Sequence, residues 1–297
     1  MIRRTGLMLV GGGVLVAILS VLPGGCKREE ALPKGEAESR GGRTPTPTPT
    51  PTGPAAALGQ DPNAVEKNII EAWNKHKSMT AKMSLSSRMT IADSTVNQMG
   101  EGTYEFLRQD GKLLSRLELT STTVQTTGTE ETKVEEHLLA VSDGDLSQTL
   151  IELGNGEARV VKSKVLPSQS GDPKMLLDYL RHEGAVGSLP DDTVEGRKVY
   201  VIEVVLRESI PHAPVKERFA FDQETGFLLR IVGLGQNALP MTTMSYSDIK
   251  IDVPIGPERF QFTAPENAEV FDETTPQPVT IQPATASQPT SAPSPKP

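Results

Sequence analysis

The residue with the clearest chemistry to perform is the only cysteine, Cys26. It follows a positive start, Met1-Ile2-Arg3-Arg4, an apolar run from Gly6 to Leu22, and the small pair Gly24-Gly25. That is the layout of an export signal whose cleavage exposes a cysteine for acylation. Leu usually stands three places before such a cysteine; here Pro23 does, and the nearest Leu is Leu22. The competing reading is an uncleaved signal anchor. Its apolar run sits near the lower limit of about 17 residues for a spanning helix, and Gly11-Gly12-Gly13 weakens it as a helix. One cysteine also rules out any disulfide within the chain.

Other reactive side chains form no recognisable constellation. His76, His137, His182 and His212 fall in different predicted elements. Asp143 and Asp145 bracket Gly144 as in a metal loop, but Leu146-Ser147-Gln148 does not continue one, so the segment reads as a turn. There is no nucleophile elbow, no phosphate-cradling glycine loop and no metal-type pairing of Cys or His. The expectation is no catalytic residue, no metal and no cofactor. A net charge of −8 argues against nucleic acid as a partner.

Composition divides the chain. Residues 1–26 are the signal segment, and 27–60 are a tether containing the Thr-Pro alternation Thr44 to Pro54. Proline there favours a polyproline II rod that rises about 3.1 Å per residue, a semi-rigid spacer. Residues 274–297 are a Pro/Ser/Thr tail, read as disordered. Only 61–273 can bury a core, and that length suits one domain.

The elements that must position any site follow from periodicity. Asp61-Pro62 opens a helix whose Val65, Ile69, Ala72, Trp73 and His76 share one face. Alternation then predicts strands over 84–91, 100–108, 113–120, 131–141, 146–153 and 158–165, linked by turns such as Asp110-Gly111 that are too short for crossovers. Asp172-Pro173 opens a second helix, to Glu183, with Leu176, Leu177, Tyr179 and Leu180 as its apolar face. Strands resume over 198–207, 215–221, 227–232 and 242–251, with a short last one over 259–262. Tyr104, Phe106 and Arg108 share a strand face, as do Val215, Phe219 and Phe221, and Phe227, Leu229 and Ile231. With Leu117 and Leu119 these supply a broad apolar side that two helices cover. Composition and period leave open whether that side is a packed core or a partly open apolar cavity, to which several methionines would lend adaptable surface.

Three segments resemble the periplasmic lipoprotein-carrier (LolA-like) family. Gly100-Glu101-Gly102 with Tyr104 to Arg108 is similar to its Gly-x-Gly strand ending in Arg. Leu139-Ala140-Val141-Ser142-Asp143-Gly144 resembles its strand-turn, and Arg259 to Pro265 with Val270-Phe271-Asp272 resembles its closing segment. The order and approximate spacing match over most of 61–273. The resemblance implies an α+β fold, an incomplete (unclosed) antiparallel β-barrel whose concave face is lidded by helices. It implies an acyl-chain cavity lined by Tyr104, Phe106, Leu117, Leu119, Phe219, Phe221, Leu229 and Ile231. Leu176, Leu177, Tyr179, Leu180 and Trp73 would form the lid. Arg108 matches the family arginine that hydrogen-bonds the lid, although Gln109 replaces the proline that follows it in the soluble carrier. The implied partners are lipid or an acylated lipoprotein, with a membrane reached through Cys26. A tethered chain resembles the lipid-anchored relatives, acceptor (LolB-like) or sensor (RseB-like), and the sensor reading adds an envelope protein as partner. The implied location is the cell envelope facing the periplasm, with the outer membrane favoured because Lys27, not Asp, follows Cys26.

Overall fold

A computed structural model describes residues 60–167, 170–208 and 211–274. Cys26, the Thr-Pro tether and the C-terminal tail lie outside the described residues.

The first helix, α1, runs Pro62–Trp73. Its start is fixed locally: the Asp61 carboxylate accepts from the Asn63 backbone N–H at 3.1 Å, and Pro62 sits where no amide is needed. Val65, Ile69, Ala72 and Trp73 are its buried stripe. The helix ends at Trp73, so His76 lies beyond it and not on its face as the spacing suggested.

Twelve strands among the described residues form one sheet in the order β12-β6-β5-β4-β3-β2-β1-β11-β10-β9-β8-β7. One half is a meander of β1 (Ser78–Ile91), β2 (Ser94–Gln109), β3 (Lys112–Thr127), β4 (Glu130–Ser142), β5 (Leu146–Leu153) and β6 (Ala158–Lys164). The helix α2 (Pro173–Glu183) follows, capped by Asp172, whose carboxylate accepts from the Lys174 N–H at 2.8 Å. Then come β7 (Gly184–Val194), β8 (Arg197–Leu206), β9 (Lys216–Asp222), β10 (Leu228–Leu234) and β11 (Pro240–Ile251), and β11 pairs back onto β1. The edges β7 and β12 (Glu269–Asp272) have no strand pairing with each other, so the sheet is unclosed. The fold is α+β, an incomplete antiparallel barrel with two helices on its inner face.

Several predicted boundaries change. The hairpin of β1 and β2 is longer at both strand starts, beginning at Ser78 and Ser94. Two strands were not anticipated: β7, whose Pro190-Asp191-Asp192 stretch breaks alternation, and β12, which is exposed throughout and pairs parallel to β6. The last short strand expected over 259–262 is instead a 3-10 turn, Pro257–Phe260. Pro257 lacks an amide for a ladder, and the chain there crosses the outer face of the sheet.

Strand alternation gives the sheet two differently covered faces. The inner face holds one apolar cluster, packed under α1 and α2. Further along β2, β3 and β4 that face turns polar, with Gln98, Ser121, Thr123 and Glu136 buried together at paired positions. On the outer face the segment leaving β11 crosses the meander, and Phe260 is buried there while Arg259 reaches β2.

Candidate functional site

All eight residues expected to line a cavity lie in the inner cluster. Register aligns them: Tyr104 faces Leu117 across β2 and β3, and Phe219 faces Ile231 across β9 and β10. The lid residues Leu176, Leu177, Leu180 and Trp73 belong to the same cluster, and Tyr179 packs at its margin. The sequence left a packed core and an open groove as alternatives. Here the side chains are packed against one another: Phe106, Phe219 and Phe221 are each 0% exposed and Trp73 is 1% exposed.

Trp73 is the wedge of that packing. Its ring centroid lies 4.4 Å from Phe106 and 6.1 Å from Phe227. Tyr104, Phe227 and Tyr246 continue the stack, with centroids 5.1–6.1 Å apart. These spacings are those of offset and edge-on aromatic pairs. Phe227 and Tyr246 were not singled out as site residues, although Tyr246 falls on the period-two apolar row of β11 and Phe227 continues that of β10 from the preceding loop.

The interior is not chemically quiet. Trp73 Nε1 and Tyr104 Oη are buried without a hydrogen-bond partner among the described residues. Burial drives the hydroxyl pKa of both Tyr104 and Tyr246 upward, so both stay protonated donors. Tyr246 Oη reaches only the Met244 sulfur, at 3.9 Å. A buried donor left unpaired costs about 1–3 kcal/mol.

Arg108 ties α1 to the sheet. Its Nε donates to the His76 carbonyl oxygen at 3.1 Å, and its guanidinium carbon sits 5.4 Å from the Trp73 ring centroid. The loop after α1 is tied again, since Asp252 accepts from the Lys77 N–H at 2.7 Å and contacts His76 Nδ1 at 3.0 Å. That pairing, with the His76 contact its largest cause, holds the Asp252 carboxyl below its ordinary range.

Two glycines seat the helices, and nothing local in the sequence marks them as more than turn residues. Gly226, at φ +69°, lets the β9–β10 hairpin touch α1; a Cβ there would strike the Ile69 carbonyl oxygen and the Trp73 backbone. Gly171, also at φ +69°, precedes α2, and a Cβ there would strike Tyr104 Oη. An ion pair between Glu66 and Arg181 joins the helices to each other.

One buried acid belongs to the same face. Glu217 lies on β9 one alternation from Phe219, is 7% exposed, and has an unpartnered Oε2. Burial first, and the Glu183 charge second, push its pKa up to about 8.

The histidines do not converge. His76 sits just beyond the end of α1 beside Asp252, while His137 lies on the outer face between Glu118 and Glu152. His182 is in the last turn of α2, and His212 is in the loop before β9. Among the described residues no group of three His, Cys, Asp or Glu is placed to hold a metal, and no helix is long and apolar enough to cross a membrane.

No family model matches the chain, and no curated protein matches it. Among solved structures it is similar to MucB of Pseudomonas aeruginosa in complex with MucA, at 15% identity and TM-score 0.37 over 68% of this chain and 59% of that one. Another structure of MucB is covered over 62% of its length, so the chain spans less than two thirds of those proteins. It is similar to an outer-membrane lipoprotein-sorting protein domain of Vibrio parahaemolyticus, at 11% identity and TM-score 0.30 over 67% of this chain and 96% of that one. It is also similar to a LolA superfamily protein of Nitrosomonas europaea, at 10% identity and TM-score 0.25 over 67% and 98%.

Proposed function

We propose that this domain binds the acyl chains of a lipid or acylated lipoprotein on its inner face, beneath α1 and α2, and acts as a binding protein and not an enzyme. In this reading it works in the cell envelope, exported and held to a membrane, with the outer membrane favoured, through acylated Cys26. It receives or transfers its ligand in lipoprotein sorting or lipid exchange.

The supporting observation is the pair of donors, Trp73 Nε1 and Tyr104 Oη, unpartnered among the described residues and set within the apolar cluster under the helices. Buried polar groups without partners are rare in native folds. The ester or amide oxygens at the head of an acyl chain are acceptors that would satisfy them. The chain itself would displace side chains packed under the helices. Each buried methylene contributes about 0.8 kcal/mol, so a chain of about fifteen supplies roughly 12 kcal/mol against the cost of lifting the lid. That lid is tied to the sheet through Arg108 with His76 and at the Gly226 seat, and its two helices are tied to each other by Glu66 and Arg181.

A second reading rests on the packing itself. A face filled by its own side chains also suits a sensor or structural domain whose partner is an envelope protein. Native mass spectrometry of the full chain, extracted from its own membranes, separates the two. Co-purified acylated mass is the expected result. A bare protein that stays bare after incubation with phospholipid and lipopeptide would favour the protein-partner reading.

A further inference from the structure

Beside the lid, a cavity of about 650 Å³ opens between the end of α1, the β2–β3 and β4–β5 turns, and the entry to α2. Its lining mixes apolar side chains, Leu113, Val165 and Met175, with charged ones. Arg108, Lys75, Lys77 and Lys112 contribute cations, and Asp110, Asp145 and Asp172 contribute carboxylates. Lys112 pairs with Asp145 at 2.5 Å, and Asp172 is engaged as the α2 cap. Among the described residues the remaining cations have no carboxylate partner: the Arg108 side chain donates to a carbonyl oxygen and lies over the Trp73 ring, and its Nη2 is buried and unpartnered. The chain as a whole carries −8, whereas the four cations of this lining exceed its three carboxylates by one, so the cavity runs against the overall charge.

We propose that this cavity binds a phosphate group, and that its source is the headgroup of the lipid whose chains enter beneath α1. The guanidinium suits the task, because its planar fork presents paired N–H donors to phosphate oxygens. The placement suits it too. Arg108 and Trp73 are in contact, so a phosphate on the guanidinium would sit at the rim of the interior, one glycerol away from chains passing Trp73. The proposal rests on the acyl-binding reading, but it fails separately from it.

The test titrates the full chain with three soluble probes: a short-chain phosphatidylglycerol, the matched diacylglycerol without phosphate, and inorganic phosphate. The phosphatidylglycerol is expected to bind about tenfold or more tightly than the diacylglycerol. Arg108→Gln also loosens the lid and so changes the binding of both lipids, but it is expected to remove the advantage, leaving phosphatidylglycerol and diacylglycerol bound equally. Lys75→Gln/Lys77→Gln, at two exposed positions, should reduce the advantage by a smaller factor without touching the lid, which covers the case where Arg108→Gln does not fold. Arg108-dependent binding of inorganic phosphate with no lipid preference would keep the phosphate site and make the free ion its source. Equal binding of the two lipids, unchanged by either variant and with no phosphate binding, would overturn the site while leaving acyl binding intact. Binding of no probe would overturn both.

Discussion

The two faces of this sheet are covered by different means. On the outer face the strap after β11 is held by paired polar contacts, although Arg116 Nε beside it is buried without a partner among the described residues. Arg259 Nε and Nη2 donate to the two Glu105 carboxylate oxygens at 3.1 Å each, and Arg116 Nη1 donates to the Arg259 carbonyl oxygen at 3.5 Å. Nearby, Glu118 accepts from Arg116 at 2.9 Å and meets His137, contacts that hold its carboxyl below the ordinary range. On the inner face the cover is apolar and leaves donors and one acid unpaired. The Arg259 fork is already matched to both Glu105 oxygens and gains little by moving. A lid over unmatched groups gains partners when something enters beneath it.

The largest test of this contrast is the wedge. Phe106→Ala should cost about 3–5 kcal/mol in urea unfolding, because it empties the site against which Trp73 packs. A loss under about 1 kcal/mol would mean the lid is not packed on β2 at all. Gly226→Val should come next. It places a branched side chain at positive φ against the α1 backbone, at about 2–3 kcal/mol. Trp73 emission should shift to the red while the far-ultraviolet signal of the sheet persists; an unchanged spectrum would separate Gly226 from the lid.

The third test uses pH. Burial raises Glu217 in the folded chain from 4.5 to about 8. Its neutral form is therefore favoured by folding, so its contribution is whole below about pH 4.5 and is lost as pH rises through about 8. Glu217→Gln keeps the shape without the charge. It should unfold at higher temperature than the wild-type chain at pH 9 and show a smaller difference at pH 5. Identical slopes of midpoint against pH for the two proteins would remove Glu217 from the inner face. The smallest effect is expected outside. Arg259→Ala breaks an ion pair whose arginine is 47% exposed, and should cost about 0–1 kcal/mol, less in high salt.

Much of this contrast was legible in the sequence, unevenly. The β2–β6 meander followed from alternation and from turns such as Asp110-Gly111, where local chemistry and tertiary structure agree. The inner row of Tyr104, Phe106, Phe219 and Ile231 followed from the same period. The edge β7 did not, because an edge strand with Pro190 and two aspartates is polar by necessity, and polar strands look like loops. The Phe260 segment misled for the opposite reason: aromatic residues two apart suggest a strand, but here Phe260 plugs the outer face from a 3-10 turn. The roles of Gly171 and Gly226 were out of reach, since close approach to a distant helix leaves no local mark. Glu217 was within reach, as a charged residue on an inward row between Val215 and Phe219.

The most direct measurement uses the chain's only tryptophan. Trp73 lies where an acyl chain must pass, so lipid carrying brominated acyl chains should quench its fluorescence in a saturable way. The same lipid without bromine should not quench it. Saturating brominated lipid that leaves Trp73 emission at its starting intensity would mean that no hydrocarbon enters beneath α1.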